Sequence, residues 1–256
     1  MKNIFKISFF LTFIFIFNSC SQKNKNQVMS ENDKNNLENQ GKIENDWIIL
    51  SDGKSFNGWH IFKKDGVDKS WTIEDGAMVY VGGDDGNSTG NDLISDKEFS
   101  SFILSMDWKI SKGGNSGVFY GVSEESDFNQ PYFTAPEIQV IDNDNYDWTP
   151  GADGKSNTHV AGALYDLVGP SADVVNPAGE WNNYIIEINY NTNKGSVTLN
   201  GTNIVNYPLY GDDWDQMIRN SKFKDWNEFG THRKGRIGLQ DHGKKVWYKN
   251  IKVKEL

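Results

Sequence analysis

The sequence predicts an all-β fold, a two-sheet antiparallel β-sandwich or jelly roll with one short helix. From Trp47 onward, short segments of alternating apolar and polar residues are separated by Gly, Asn and Asp. Only the segment 214–221 has a helical pattern, and Asp212 or Asp213 is expected to cap its N-terminus. Many short strands with frequent turn signals and a single helix are typical of a sandwich.

The individual strands follow from residue alternation. In Phe102–Ile110 every second residue is apolar, so these side chains are expected to face the core. Asn200-Gly201 suits a type I′ turn and predicts a hairpin between 196–200 and 202–205. By the same patterns, further strands are predicted at 47–50, 71–73, 77–81, 117–120, 136–142, 163–167, 181–189, 235–243 and 246–253.

The N-terminus predicts a lipoprotein signal peptide over residues 1–20. Lys2 and Lys6 precede an apolar run that ends at Phe17, and Asn18-Ser19-Cys20 follows directly. This pattern resembles a bacterial lipoprotein cleavage site, in which Cys20 would become the lipidated first residue. An uncleaved anchor helix is the alternative, but the run is shorter than the ~20 apolar residues that a span needs.

Residues 21–45 are predicted to form a disordered polar tether, and residues 46–256 a single domain. The tether would hold the domain at the membrane, on the periplasmic face or at the cell surface. Cys20 is the only cysteine of the chain, so disulfides and thiol chemistry are excluded from the domain. The formal net charge of −9 argues against a nucleic-acid partner.

Two predicted strands carry polar side chains on one face. In the segment 235–243 the residues on that face are Arg236, Gly238, Gln240 and His242, opposite Ile237 and Leu239. In the segment 136–142, Glu137 and Gln139 lie opposite Ile138 and Val140. Together the two segments predict a polar floor on a β-sheet that suits a hydroxyl-rich ligand.

Several short motifs occur in a defined order along the domain. They are Leu50-Ser-Asp-Gly53 with Trp59, Asn115-Ser-Gly117, Glu137-Ile-Gln139 with Asp142, Gly162-Ala-Leu-Tyr165, Glu180-Trp-Asn182, Ser221-Lys-Phe223, and Gly238-Leu-Gln-Asp-His-Gly243 with Asn250-Ile251. This ordered set resembles the bacterial 3-keto-disaccharide hydrolase family. The resemblance implies a concanavalin A-like jelly roll and action on glycosides oxidised at C3, after a separate sugar 3-oxidoreductase has acted.

Glu137 and His242 are the predicted catalytic residues. An ordinary glycosidase needs two carboxylic acids that flank the glycosidic bond, and only Glu137 is well placed on the predicted floor. A C3 ketone would acidify the C2 proton, so that one base could start an elimination of the C1 substituent, and water could then add. The alternative interpretations are a turn-capping role for His242 and a solvated surface position for Glu137.

Other polar and aromatic residues are candidates for binding the sugar. These predicted substrate-binding residues are Asn115, Gln139, Tyr165, Trp181, Arg236 and Gln240. Asn115 could instead form local hydrogen bonds with the backbone, and Tyr165 and Trp181 could pack in the core. Arg236 could instead neutralise the charge of Glu137. No cofactor is required by these patterns, but Glu137, Asp142 and His242 offer a set of oxygen and nitrogen ligands for a divalent metal.

Two non-catalytic functions remain open at this point. A carbohydrate-binding module, or lectin, would use the same fold and the same polar floor. A structural envelope lipoprotein would be equally compatible with the anchor and the tether.

Overall fold

Two antiparallel β-sheets build the protein in the computed structural model, which describes residues 42–83, 88–125, 127–146 and 156–256. The predicted signal peptide, Cys20 and most of the predicted tether lie outside the described residues. The strands of the described ranges are β1 Lys42–Glu44, β2 Trp47–Ile49, β3 Trp59–Ile61, β4 Trp71–Glu74, β5 Ala77–Tyr80, β6 Leu93–Phe99, β7 Phe102–Ile110, β8 Asn115–Val122, β9 Glu137–Ile141, β10 Asn182–Asn189, β11 Lys194–Leu199, β12 Thr202–Tyr207, β13 Gly235–Leu239 and β14 Val246–Glu255.

One α-helix, α1 (Asp212–Arg219), and the 3₁₀ turns Pro131–Phe133 and Ser156–Thr158 complete the secondary structure of the described ranges. The predicted all-β sandwich with one short helix is therefore confirmed. In this part of the chain, α1 and the 3₁₀ turns are all too short and too polar to cross a membrane.

The larger sheet carries most of the core. Its order in the described residues is β1-β2-β14-β7-β10-β11-β12, with β4 and β5 joined beside β14. Strand β7 shows the predicted alternation, since Phe102, Leu104, Met106, Trp108 and Ile110 are buried and the residues between them are partly exposed. Burial of each such side chain contributes about 1.5–3 kcal/mol, so β7 anchors one side of the core.

The smaller sheet has the order β3-β6-β13-β8-β9 and differs from the larger one in its burial. Every residue of β8 and of β9 is buried, on both faces of the sheet. One face packs into the core between the sheets, and loops cover the other. Polar side chains on the covered face are therefore removed from bulk solvent, and this is the face of the predicted polar floor.

Turn chemistry explains two hairpins. Asn200 and Gly201 have φ of 49° and 84° between β11 and β12, which confirms the predicted hairpin. Asn45 and Asp46 have φ of 49° and 66° and join β1 to β2 in the same way. The prediction that the tether extends to residue 45 is therefore wrong by a few residues, because 42–44 pair with β2.

Three further predictions need correction. The segment 163–167 is not a strand but two isolated bridges, because Asp166 turns the backbone with a φ of 58°. Helix α1 begins at Asp212 with Gly211 as its N-cap, so the acidic residues lie in the first turn, where they favour the helix dipole. Strands β3 and β6 are absent from the predicted set, since β3 is short and the middle of β6, Ser95 to Glu98, is polar.

Candidate active site

A cavity of about 270 Å³ opens over the covered face of the smaller sheet. Strands β8 and β9 and the end of β13 form its floor, and the segments around Tyr132 and Trp226 form a wall. Its polar lining consists of Asn115, Glu137, Gln139, Tyr165, Lys222, Gln240 and His242. All of the predicted catalytic and substrate-binding residues except Arg236 and Trp181 therefore line this one cavity. Their functional roles remain predictions.

Strand register brings the floor residues together. Gly117 of β8 pairs with Gln139 of β9, and Phe119 pairs with Glu137. On the other side of β8, the Gln240 N–H donates to the Gly117 carbonyl at 2.9 Å. Side chains from three adjacent chain segments therefore converge around Gly117, which has no side chain of its own to fill the space.

Glu137 presents a buried carboxyl group to the cavity. Gln240 Nε2 donates a long hydrogen bond of 3.4 Å to Glu137 Oε2. A β-carbon at Gly117 would overlap the Glu137 carboxyl, so glycine is needed beneath it. Burial raises the pKa of Glu137 to about 8, and the charge of Asp92 adds to this effect, whereas Lys222 and Gln240 oppose it. The carboxyl group therefore titrates near neutral pH, as suits a general acid or base.

Lys222 is a cavity residue to which the sequence patterns assigned no role. It follows α1, and its backbone N–H donates to Asp166 Oδ2 at 2.8 Å, which fixes its position. Its Nζ lies 4.1 Å from the centre of the Tyr165 ring. Burial lowers the pKa of Lys222, and the negative charges of Glu137 and Asp166 raise it in opposition. The one sequence indication was its position in the motif Ser221-Lys-Phe223.

His242 lies at the mouth of the cavity, on the segment that follows β13. The neighbouring Asp241 holds this segment, because its Oδ2 accepts hydrogen bonds from Thr89 N–H at 2.7 Å and from Asn91 N–H at 3.1 Å. The surrounding protein displaces water from part of the imidazole, and this desolvation lowers the pKa of His242. The neutral imidazole, with one donor and one acceptor nitrogen, is thus favoured at neutral pH.

Tyr165 also faces the cavity, and its ring packs against the His159 ring. The His159 ring stacks on it with centroids 4.4 Å apart, and His159 Nε2 lies 2.8 Å from Asp166 Oδ1. Burial raises the pKa of the Tyr165 hydroxyl, so this group is a neutral donor at the cavity surface. The core-packing alternative for Tyr165 is not supported, because the residue lines the cavity.

Aromatic side chains form one wall of the cavity. Trp226 lies 6.2 Å from the Tyr132 ring and 5.1 Å from the Phe223 ring, and Phe223 stacks on Phe229 at 3.8 Å. An aromatic face of this kind is typical of sites that stack on the apolar face of a sugar ring. Trp181 is the tryptophan that the sequence predicts to bind the sugar, and Trp226 is not among the predicted site residues.

Trp181 and Arg236 lie away from the cavity. The Trp181 ring lies on the larger sheet beside two ammonium groups, 3.9 Å from Lys249 Nζ and 4.9 Å from Lys109 Nζ. Arg236 Nε forms an ion pair with Glu124 at 2.9 Å. A register irregularity between Arg236 and Gly238 interrupts the alternation of β13, so Arg236 does not share the environment of Gln240.

The proposed metal set is not assembled. Asp142 turns away, since its carboxylate accepts hydrogen bonds from Gly113 N–H at 2.7 Å and from Asn145 Nδ2 at 3.2 Å. In the described ranges, no group of three or more His, Cys, Asp or Glu side chains is arranged to hold a metal ion. The donor set predicted from Glu137, Asp142 and His242 therefore does not fit a divalent cation.

Two buried amide oxygens in the cavity lack a partner. Within the part of the chain that the structure describes, Asn115 Oδ1 and Gln240 Oε1 are buried and accept no hydrogen bond. A buried polar atom without a partner costs about 1–3 kcal/mol, and a ligand hydroxyl would remove this cost. Both residues line the cavity, so these oxygens are unused acceptors beside it.

Comparison with known proteins identifies relatives along most of the chain. A curated 3-keto-disaccharide hydrolase from Bacteroides thetaiotaomicron is 40% identical over 234 residues, covering 82% of this chain and 78% of that protein. A crystal structure from Parabacteroides distasonis, described provisionally as a glycosyl hydrolase, has 33% identity and a TM-score of 0.73 over 90% of this chain and 98% of the other. A second such structure from the same species has 26% identity and a TM-score of 0.59, covering 82% and 99%.

A family model provides the assignment for the whole domain. The match extends over residues 46–254, which is nearly the complete sandwich described above. Together with the relative at 40% identity, it confirms the family resemblance of the sequence motifs. The chain belongs to the family of the 3-keto-alpha-glucoside-1,2-lyase-like domain.

Proposed function

We propose that this chain cleaves 3-keto-glycosides, including 3-keto-disaccharides, by elimination across C1 and C2 of the oxidised sugar and subsequent addition of water. The family description and the name of the relative from Bacteroides thetaiotaomicron support the substrate class. The observation that carries the mechanism is the buried Glu137 carboxyl in a polar cavity, with a pKa near 8 and Lys222 close by.

Glu137 acts as the base. The C3 ketone makes the C2 proton acidic, and the Glu137 carboxylate removes it. A carboxylate whose pKa has been raised by burial is a stronger base than an exposed one, and general bases work best with a pKa near the working pH. The electron pair of the C2–H bond enters the C3 carbonyl and gives an enolate.

Lys222 and His242 stabilise that enolate. The Lys222 ammonium interacts electrostatically with Glu137, so it lies within range of charge that forms next to the base. In a cavity with little water, a fixed positive charge is worth more than the same charge in solvent. The neutral His242 imidazole supplies a further N–H donor at the mouth.

The sugar hydroxyls bind to the amide and phenol groups of the floor. Asn115 Oδ1 and Gln240 Oε1 accept hydroxyl protons, and the Tyr165 hydroxyl donates. Gln139 lines the same floor. The aromatic wall with Trp226 and Tyr132 stacks against the less polar face of the ring.

Collapse of the enolate expels the C1 substituent. The electron pair forms the C1=C2 double bond while the C1–O bond breaks, and the leaving oxygen takes a proton. Water then adds across the double bond, with hydroxyl at C1 and a proton at C2, which completes a net hydrolysis.

We also propose that the chain is a lipid-anchored protein of the bacterial cell envelope, held through Cys20 and the tether. The support is the signal-peptide pattern of residues 1–20. Labelled fatty acid should enter the wild type and not the Cys20→Ser variant. Because an unoxidised glycoside lacks the acidic C2 proton, the chain would depend on a sugar 3-oxidoreductase for its substrate.

The proposal is tested with a nitrophenyl 3-keto-glucoside and its unoxidised parent. Release of nitrophenol from the 3-keto compound alone is the expected result. Release from both would indicate an ordinary glycosidase. Binding of the sugars without release would favour the lectin alternative.

A further inference from the structure

A second cavity of about 460 Å³ adjoins the first. The two share Tyr132, Gln240 and His242, so they form one continuous cleft with two lobes. Ser88, Asp92 and Gln130 belong to the second lobe alone. A disaccharide has two rings to place, and Glu137 belongs to the first lobe alone.

Asp92 brings a carboxyl group to the second lobe. It immediately precedes β6 and is only 3% exposed. Its backbone carbonyl accepts the Phe62 N–H at 2.9 Å, and its Oδ1 accepts the Asp241 N–H at 2.8 Å. The second bond fixes the carboxyl group relative to the segment that carries His242. Asp92 was not among the residues singled out in the sequence.

Gln240 stands between the two carboxyl groups. Its Nε2 donates to Glu137, and the residue lines both lobes. Its buried Oε1 has no partner within the described ranges and marks the junction as a place for a ligand hydroxyl. Asp92 and Glu137 also influence each other, because the charge of Asp92 raises the pKa of Glu137. The first lobe thus presents Glu137, and the second presents Asp92 beside Asp241, whose carboxylate already accepts hydrogen bonds from backbone N–H groups.

Asp92 is protonated for a large part of the time at neutral pH. Burial raises its pKa to about 7, and the Asp241 N–H opposes that shift. The form that reacts holds the proton on Asp92 while Glu137 is ionised, and it is a minor form near neutral pH because Glu137 has the higher pKa.

We propose that Asp92 is the general acid that protonates the leaving oxygen, and that the second lobe holds the leaving sugar. The inference rests on the proposed function and deepens it. When the 3-keto ring lies over Glu137, the C1 substituent extends past Gln240 toward Asp92. The same carboxylate then serves as the base for water.

Each atom is accounted for over the complete cycle. Glu137 takes the C2 proton, the C1–O bond breaks as C1=C2 forms, and Asp92 gives its proton to the leaving oxygen. Water then attacks C1 and loses a proton to the Asp92 carboxylate. The proton on Glu137 exchanges with solvent before water adds, and Glu137 then delivers a solvent proton to C2. Both residues end in their starting states, and the net reaction is hydrolysis.

The test compares Asp92→Asn with the wild type on two substrates. The asparagine amide oxygen still accepts the Asp241 N–H, so the local fold is retained. Nitrophenolate leaves without a proton, whereas the alkoxide of a sugar needs one. Hydration follows cleavage on both substrates, so the first turnover is compared. We expect the single-turnover rate of C1–O cleavage to fall at least ~100-fold on a 3-keto-disaccharide, the scale of a lost general acid, and that of nitrophenolate release to fall by less than ~5-fold.

An equal loss on both substrates would overturn the inference, because it would indicate a positioning role for Asp92. Unchanged turnover of the disaccharide would overturn it as well. If the wild type releases product from neither 3-keto compound, the proposed function itself fails, and this inference falls with it. Asp96→Asn is the matched control: Asp96 pairs with His60 at 2.6 Å outside both lobes, and both activities should persist.

Discussion

Replacement of Glu137 by glutamine separates the catalytic role of this residue from its effect on stability. Glutamine has nearly the same shape, so the cavity and the packing on Gly117 are retained. The amide cannot remove the C2 proton. We expect kcat to fall by about 10²- to 10⁴-fold, the contribution of a general base.

The same substitution should stabilise the protein. Burial raises the pKa of Glu137 from 4.5 to about 8, so the native state holds a proton that the unfolded state releases over this window. Stability of the wild type therefore falls as pH rises from 4.5 to 8, by about 1.4 kcal/mol for each pH unit. At pH 7 the loss is about 3 kcal/mol. Glutamine does not titrate, so the Glu137→Gln variant does not lose this stability as pH rises.

Urea unfolding of both proteins at pH 5, 7 and 8 measures this effect. The free energy of unfolding of Glu137→Gln should exceed that of the wild type, and the difference should grow with pH. Glu187→Gln is the control: Glu187 pairs with Lys194 at 2.6 Å at a partly exposed position, and neither activity nor stability should change much. Near-normal turnover by Glu137→Gln would refute the site assignment. Lost turnover together with lower stability at pH 8 would show that the Glu137 charge is structural.

The remaining predictions concern His242, Lys222, Gly117 and pH. His242→Ala should lower kcat at least ~100-fold on the nitrophenyl 3-keto-glucoside, the scale of a lost donor to an oxyanion, while the melting temperature stays close to that of the wild type; near-normal turnover would remove His242 from the catalytic residues. Lys222→Met should lower kcat more than it raises KM, because the ammonium acts on the enolate; a change in KM alone would assign it to binding. Gly117→Ala should displace the Glu137 carboxyl and lower kcat with a folded sandwich, as circular dichroism would check. With the nitrophenyl substrate, kcat/KM should rise with pH and level off above about 8, because only the Glu137 carboxylate removes the proton; a rate that falls over this range would contradict it.

The polar floor was predictable because a strand places alternate residues on one face. Glu137 and Gln139 lie on β9 and follow from this period. Gln240 and His242 lie just beyond β13, because the strand predicted over 235–243 ends at Leu239. Arg236 did not follow, since the irregularity between Arg236 and Gly238 breaks the period. Alternation within a single segment contains no information about such an irregularity.

Loop residues of the site were not predictable from local patterns. Lys222 enters the cavity because its N–H reaches Asp166, a residue more than fifty positions away. Asp92 resembles any turn aspartate in the sequence, and only the Asp241 N–H and its burial distinguish it. No local sequence pattern distinguishes Trp226 from Trp181. Only the fold places Trp226 in the cavity wall and Trp181 on the larger sheet, away from the cavity.

Incorporation of deuterium at C2 tests the central claim most directly. The purified protein turns over a 3-keto-disaccharide in D₂O, and the C2 position of the product is analysed by mass spectrometry and NMR against an incubation without protein. Elimination followed by addition predicts deuterium at C2 above the spontaneous exchange, or an unsaturated product that lacks the C2 proton. A product that retains its original C2 hydrogen throughout turnover would contradict the mechanism.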